Sequence, residues 1–284
     1  MSSETPPAPP ATVTEIPEPT ATVPPTLTST PTITPIVILD PSPLEIEFTA
    51  DDGQILSGIY YPADSNPAPL MILMHWLRGD QEEWTEIALW LQNRSEFVRT
   101  ADYNKSWKSS VWYPENTSDI SMGVFTFTFR ECAGGCQNFL PTEWLLDIQA
   151  AITTAVGLTG VDRSQIITAG ASIGADGAIN GCAWLNQSGL GKCRGAFALS
   201  PGSLLLVPFE NIALELLHNE PPIPVYCLYG LRDDASVETC SAVPDAKLVD
   251  YGYIDNHGFE LLQPQKGPDP LLLLLEFINT ALPE

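Results

Sequence analysis

Positive charge is scarce in this chain, and no lysine or arginine precedes Arg78. Across 284 residues, 12 Lys and Arg stand against 35 Asp and Glu, a net charge of −23. So acidic a surface argues against nucleic acid and anionic membrane as partners, because both need a basic surface. Long hydrophobic runs are missing too. The longest, Leu271 to Leu275, falls far short of the roughly 20 apolar residues that span a bilayer, so no transmembrane segment is expected. Histidine is limited to three residues and no Cys-x-x-Cys occurs. That spacing is poor for a metal centre, and no metal or other cofactor is expected.

Residues 1–43 lack glycine and aromatics, holding 12 prolines, ten threonines and only four acids. Such a segment cannot bury enough apolar surface to offset its ordering entropy. An extended, disordered spacer is expected there, with one ordered domain over 44–284. Met1-Ser-Ser shows neither the charged nor the apolar region of an export signal, so the chain either stays in the cytosol or has lost its signal. The cysteines bear on that choice. They fall as Cys132 and Cys136, Cys182 and Cys193, Cys227 and Cys240. Fifteen connectivities are possible and pairing in sequence order is the simplest. Three disulfides behind a Pro/Thr spacer favour a secreted protein, or one tethered to a cell surface by that spacer.

The ordered part opens with a hairpin signal. Leu44–Thr49 alternates apolar and polar, Ala50-Asp-Asp-Gly53 turns, and Ile55–Tyr61 returns. Leu70–Met74 is continuously apolar and ends in His75-Trp76, as in a strand covered on both faces. Helical spacing over Gly79–Leu91, an irregular stretch over 93–122, a strand at Gly123–Phe129 and a helix at Pro141–Val156 come next. Further strands are expected at Gln165–Ala169, Gly195–Leu199, Ile223–Tyr229 and Ala246–Tyr251, with helices within Leu204–Leu217 and over Pro268–Leu282. Strands alternating with helices after a hairpin predict an α/β fold, a mostly parallel twisted sheet with helices on both faces.

Between strand and helix lies Gly170-Ala171-Ser172-Ile173-Gly174. In a Gly-x-Ser-x-Gly elbow the glycines let strand and helix approach closely while the serine is held, strained, with its hydroxyl presented. The helix N-terminus behind it offers free N–H groups to an oxyanion. Taken alone the pattern is weak, since an ordinary Gly/Ser turn looks the same. Ligands of open α/β sheets bind beyond the carboxyl ends of the strands. Two later strand ends supply an acid and a base there, in Gly230-Leu-Arg-Asp233 and in Asn256-His257-Gly258. Asp234 competes with Asp233 because the two are adjacent. His218 sits in a helical stretch and is taken as structural.

With Ser172, Asp233 and His257 in that order, residues 44–284 resemble an α/β-hydrolase of the serine esterase and dienelactone-hydrolase-like group. The resemblance implies the α/β-hydrolase fold and a Ser172–His257–Asp233 triad. It also implies an oxyanion held by the N–H of Ile173 and by that of Trp76 or Leu77. One departure is plain: His75-Trp76 stands where such enzymes usually carry His-Gly. The bulky Trp76 indole is expected to wall the pocket, and His75 to support the loop by hydrogen bonds. Arg130-Glu-Cys132-Ala-Gly-Gly-Cys136 takes the place of the family's Arg-Gly-x-Gly loop, which a Cys132–Cys136 bridge would fix. Trp144 and Asp147 match residues expected to serve packing and helix-end charge, and Asp176 is likewise expected to be an N-terminal helix charge.

Only about two dozen residues separate the strands ending at Leu199 and starting at Ile223, too few for a large cap domain. The extra material lies at 93–122, with Tyr103, Trp107, Trp112 and Tyr113. These aromatics are expected either to shape an acyl or aromatic binding cleft over the elbow or simply to pack on the scaffold. The expected activity is cleavage of carboxylic esters, the substrate being small or polymeric. A polyester or cutin-type hydrolase, a peptidase with the same triad, and a catalytically silent binding protein are the alternatives.

Overall fold

The computed structural model describes Met1 and residues 42–94, 107–108, 112–263 and 266–282. The expected spacer at 1–43 lies almost wholly outside the described residues, as does Tyr103. All described elements belong to the unit Ile36–Glu284.

The hairpin is β1 (Leu44–Thr49) and β2 (Ile55–Tyr61), antiparallel from Leu44↔Tyr60 to Thr49↔Ile55. Gly53 takes φ +88 in its turn, a conformation open to glycine at no steric cost. The strands β3 (Ala68–Met74), β4 (Gly123–Thr128), β5 (Val161–Ala171), β6 (Cys193–Leu199), β7 (Val225–Tyr229) and β8 (Lys247–Asp250) complete an eight-stranded sheet ordered β1-β2-β4-β3-β5-β6-β7-β8. From β4 onward every pairing is parallel, and only β1–β2 and β2–β4 are antiparallel. Carboxyl ends therefore gather on one edge of the sheet, with Met74 beside Gly170 and Ala171 beside Leu199.

Alternation along β3 divides the core in two. Leu70, Ile72 and Met74 join one apolar cluster and Met71 and Leu73 the other. The first cluster holds α2 (Pro141–Gly157), α3 (Ile173–Ser188) and α4 (Phe209–Leu217) against the sheet. The second holds α1 (Thr85–Leu91) and α6 (Pro270–Ala281). Between β6 and β7 only α4 and short loops intervene, so no cap domain is inserted there.

One helix is not expected from the sequence. A short helix, α5 (Asp234–Ser241), follows β7 where no helix is expected, because Asp-Ala-Ser-Val-Glu-Thr-Cys-Ser carries no apolar stripe. Cys240 on α5 is bonded to Cys227 on β7, which fastens the helix to the sheet. The other bridges, Cys132–Cys136 and Cys182–Cys193, complete pairing in sequence order.

Candidate active site

The turn from β5 into α3 is made by close approach. A Cβ on Gly170 would stand 1.9 Å from the Gly174 carbonyl oxygen, and one on Gly174 would stand 2.3 Å from the Met74 carbonyl oxygen. Both positions therefore admit only glycine. Between them Ser172 takes φ +56 and ψ −119, outside the comfortable range of a side-chain-bearing residue. Its N–H donates to the Leu199 carbonyl (2.8 Å), which ties the elbow to the neighbouring strand. Ile173 is the first residue of α3, and the first N–H groups of a helix have no partner within it.

Loops after β7 and β8 are stitched together beside the elbow. Leu231 N–H donates to the Gly252 carbonyl and Arg232 N–H to that of Ile254. Gly230 lies so near that a Cβ would come 2.5 Å from the Ile254 oxygen. This stitching sets Asp233 against His257. The imidazole Nδ1 is 2.7 Å from Asp233 Oδ2, and Nε2 is 2.8 Å from Ser172 Oγ. An ionised carboxylate only accepts, so Nδ1 carries the proton and Nε2 of the neutral ring accepts the Ser172 hydroxyl.

Burial works to raise the Asp233 carboxyl, but hydrogen bonds from His257 and Ser236 outweigh it and hold the group below the ordinary carboxylate range. Ser236 Oγ donates to the same Oδ2 at 2.6 Å. Asp234 is exposed on the first turn of α5. His218 is exposed too, 3.6 Å from Asp245.

His75 is fully buried and braces the loop after β3. Its Nδ1–H donates to the Trp76 carbonyl (2.7 Å), and its Nε2 accepts the Phe129 N–H (3.0 Å). Burial pushes it down to about 4, so the ring is neutral at physiological pH. Leu77 in this loop accepts the Cys136 N–H through its carbonyl (2.8 Å), which fastens the Cys132–Cys136 loop to it. Arg78 reaches from the loop to Glu260 (3.3 Å), whose carboxylate also accepts the His257 N–H (3.1 Å). Ser236 and Glu260 thus support the arrangement although no sequence motif marks them.

Two of the aromatics expected either at a substrate wall or packed on the scaffold, Trp76 and Trp107, are packed in the core. Trp76 and Trp107 are buried and meet edge to face at 5.8 Å, with Phe259 5.6 Å from Trp76 and 5.8 Å from Trp107. Trp107 Nε1 donates to the buried Glu83 (2.6 Å), which Lys108 pairs at 2.9 Å. These two indoles are core side chains behind the His257 loop, so packing overrides the cleft-lining expectation. Tyr113 donates to the Trp107 carbonyl and packs on Trp90, whereas Trp112 is exposed. Asp147 also differs from expectation. It lies beyond the first turn of α2, too far in for helix-end charge, and accepts from Arg130 N, Nε and Nη2 at 2.8, 2.8 and 2.7 Å. Trp144 packs in the core as expected.

Asp176 stands in the first turn of α3, where a helix-end charge is expected, and also reaches beyond its own helix. Its carboxyl is fully buried and accepts N–H groups from Gly202 and Ser203 at 3.3 Å each and from Leu204 at 2.5 Å. Burial pushes it up to about 7 against the pull of those three donors and of His257.

No protein-family model matches the sequence, and comparison with curated proteins finds no relative. Solved structures do share the fold. An esterase from Pyrococcus furiosus superposes with TM-score 0.56 at 14% identity, over 84% of this chain and 91% of its own. A bacterial heroin esterase gives 0.57 at 14% identity, over 86% and 85% of the two chains. A dienelactone hydrolase from Anabaena variabilis gives 0.52 at 10% identity, over 85% and 96%. The chain has the α/β-hydrolase fold, with esterases and a dienelactone hydrolase among its structural neighbours.

Proposed function

We propose that this α/β-hydrolase-fold chain is a serine hydrolase that cleaves carboxylic esters by acyl transfer to Ser172. The observation that carries the reading is the unbroken line from Ser172 Oγ through the His257 ring to Asp233, with contacts of 2.8 and 2.7 Å. Nε2 of His257 takes the hydroxyl proton as Oγ attacks the ester carbonyl carbon. Asp233 keeps the ring in the Nδ1–H tautomer and stabilises the imidazolium that forms. Negative charge on the former carbonyl oxygen is met by the Ile173 N–H at the start of α3 and by the N–H of Trp76 or Leu77. Each such donor is worth about 3–4 kcal/mol in the transition state. His257 then returns its proton to the departing alcohol, and water activated by the same nitrogen releases the acid.

Residues 44–284 form the catalytic domain in this reading, and residues 1–43 a spacer. Three disulfides support a secreted or surface-tethered location, since such bonds persist in oxidising compartments.

A fluorophosphonate probe tests the reading. The folded protein is expected to be labelled at Ser172, and Ser172→Ala to lose both labelling and turnover of short-chain p-nitrophenyl esters. A folded protein that takes no label would instead be a silent binding protein. Screening acyl chain lengths, insoluble polyesters and peptide amides then separates the esterase from the polymer hydrolase and the peptidase.

A further inference from the structure

We propose that Asp176 is a positioning residue whose buried carboxyl group fastens the loop after β6, residues 200–204, to the nucleophile-bearing helix and so fixes one wall of the substrate cleft. The wall's part in catalysis rests on the esterase reading above; the clamp itself does not.

Three consecutive backbone N–H groups converge on one carboxyl, from Gly202, Ser203 and Leu204. A side chain serving only as helix-end charge has no need to reach across to another element. The loop it holds is not one the backbone adopts freely, because Ser200 and Ser203 take φ +51 and +52 without being glycine. Its far side is fixed as well. Ser203 Oγ accepts the Phe209 N–H (2.9 Å) at the start of α4 and donates to Glu210 (3.1 Å). The loop is thus over-determined from two helices.

Its place gives the clamp consequence. The loop begins one residue after Leu199, whose carbonyl holds the Ser172 N–H. It leaves the carboxyl end of β6, the strand beside the elbow, where open α/β sheets bind their ligands. Leu206, just beyond it, is 62% exposed. Two ionisable groups face the Asp176 side of this arrangement: His257 from the loop after β8, and Glu210 through Ser203.

Amide hydrogen exchange in Asp176→Asn tests the clamp without relying on activity. An amide has one acceptor oxygen where the carboxylate has two, and its NH2 would face N–H donors. Exchange at Gly202, Ser203 and Leu204 is expected to quicken at least about tenfold relative to the wild type. With a p-nitrophenyl ester, KM is expected to rise about tenfold with kcat little changed, while fluorophosphonate still labels Ser172. Unchanged exchange in the folded variant overturns the clamp, and a fall in kcat at constant KM overturns the cleft-wall role. Should the variant not fold, the wild-type protein gives the answer by NMR. The three amide protons are expected to shift together over one carboxyl titration, which persists in His257→Gln; the absence of a common titration overturns the proposal. Loss of phosphonate labelling in the wild type would sink the esterase reading alone, leaving the exchange result to judge the clamp.

Discussion

The indole of Trp76 lies against Gly258, so closely that a Cβ on Gly258 would stand 2.9 Å from Trp76 Cε3. Gly258 also takes φ +56, in the left-handed region. Two independent constraints therefore require glycine directly after His257. The Trp76 indole, in the loop after β3, finds its room under the His257 loop, and Phe259 and Trp107 close around it.

Gly258→Ala should consequently move His257 away from Ser172. A displacement near 1 Å lowers kcat/KM about 100-fold, and the forced backbone costs about 1–3 kcal/mol of stability. Ester kinetics beside urea unfolding check both parts. Wild-type kinetics in the variant would show that the contact relaxes without reaching the imidazole.

Asp233→Asn and Asp234→Asn should separate sharply. The first leaves a side chain that can donate to Nδ1, favouring the wrong tautomer, and kcat is expected to fall about 10⁴-fold. The second changes an exposed residue on α5 and should leave kcat within about twofold, surface changes being mostly neutral. Equal losses in the two variants would mean that the acid is misassigned.

Much of this arrangement is legible in the sequence because it depends on local spacing. The elbow is written in Gly170 and Gly174, whose spacing makes the close approach, and the order Ser172, Asp233, His257 places each group after a strand. The supports are not legible in that way. Ser236 reaches Asp233 only because α5 turns there, and that helix is too short and polar to show an apolar stripe. Glu260 depends on the short helical turn Gly258–Leu262 that follows His257. Asp176 reads as a helix-end charge until the loop after β6 is seen to turn three N–H groups onto it. Trp76 and Trp107 show a limit of another kind, since an aromatic residue has the same signature in a core as in a cleft.

The Cys227–Cys240 bridge closes a loop with a sequence separation of 13 and holds the helix that Asp233 precedes. Replacing both cysteines by alanine should cost about 3 kcal/mol through the freedom restored to the unfolded chain. Because the bridge ties α5 to β7, kcat should fall as well, through looser placement of Asp233. Urea unfolding reads the first effect and ester turnover in dilute urea the second. A variant as stable as the wild type would show that burial alone holds the helix.

Asp176 gives the clearest expectation for pH. Its carboxyl sits at about 7 in the folded chain against an ordinary value of 3.8, with burial the main cause. Between those values the folded state holds a proton that the unfolded state has released. Stability from this group is therefore full below about 4, declines as pH rises toward 7, and stays at its lower level above that. Asp233 has the opposite sign, being held below its ordinary value, so its contribution is present above about 3.8 and is lost as pH falls through its depressed folded value. Over pH 5 to 7 Asp176 alone of the two changes and lowers stability by up to about 1.4 kcal/mol per pH unit, a decline that His75, held at about 4 against an ordinary 6.5, offsets up to about pH 6.5 because only the unfolded chain protonates it there. In Asp176→Asn, which cannot ionise, the Asp176 decline is absent, so stability should rise with pH up to about 6.5 through His75 while the acid-side loss from Asp233 remains. Urea unfolding at half-unit pH steps in the two proteins measures the difference, and identical slopes would show that the buried carboxyl does not titrate in this range.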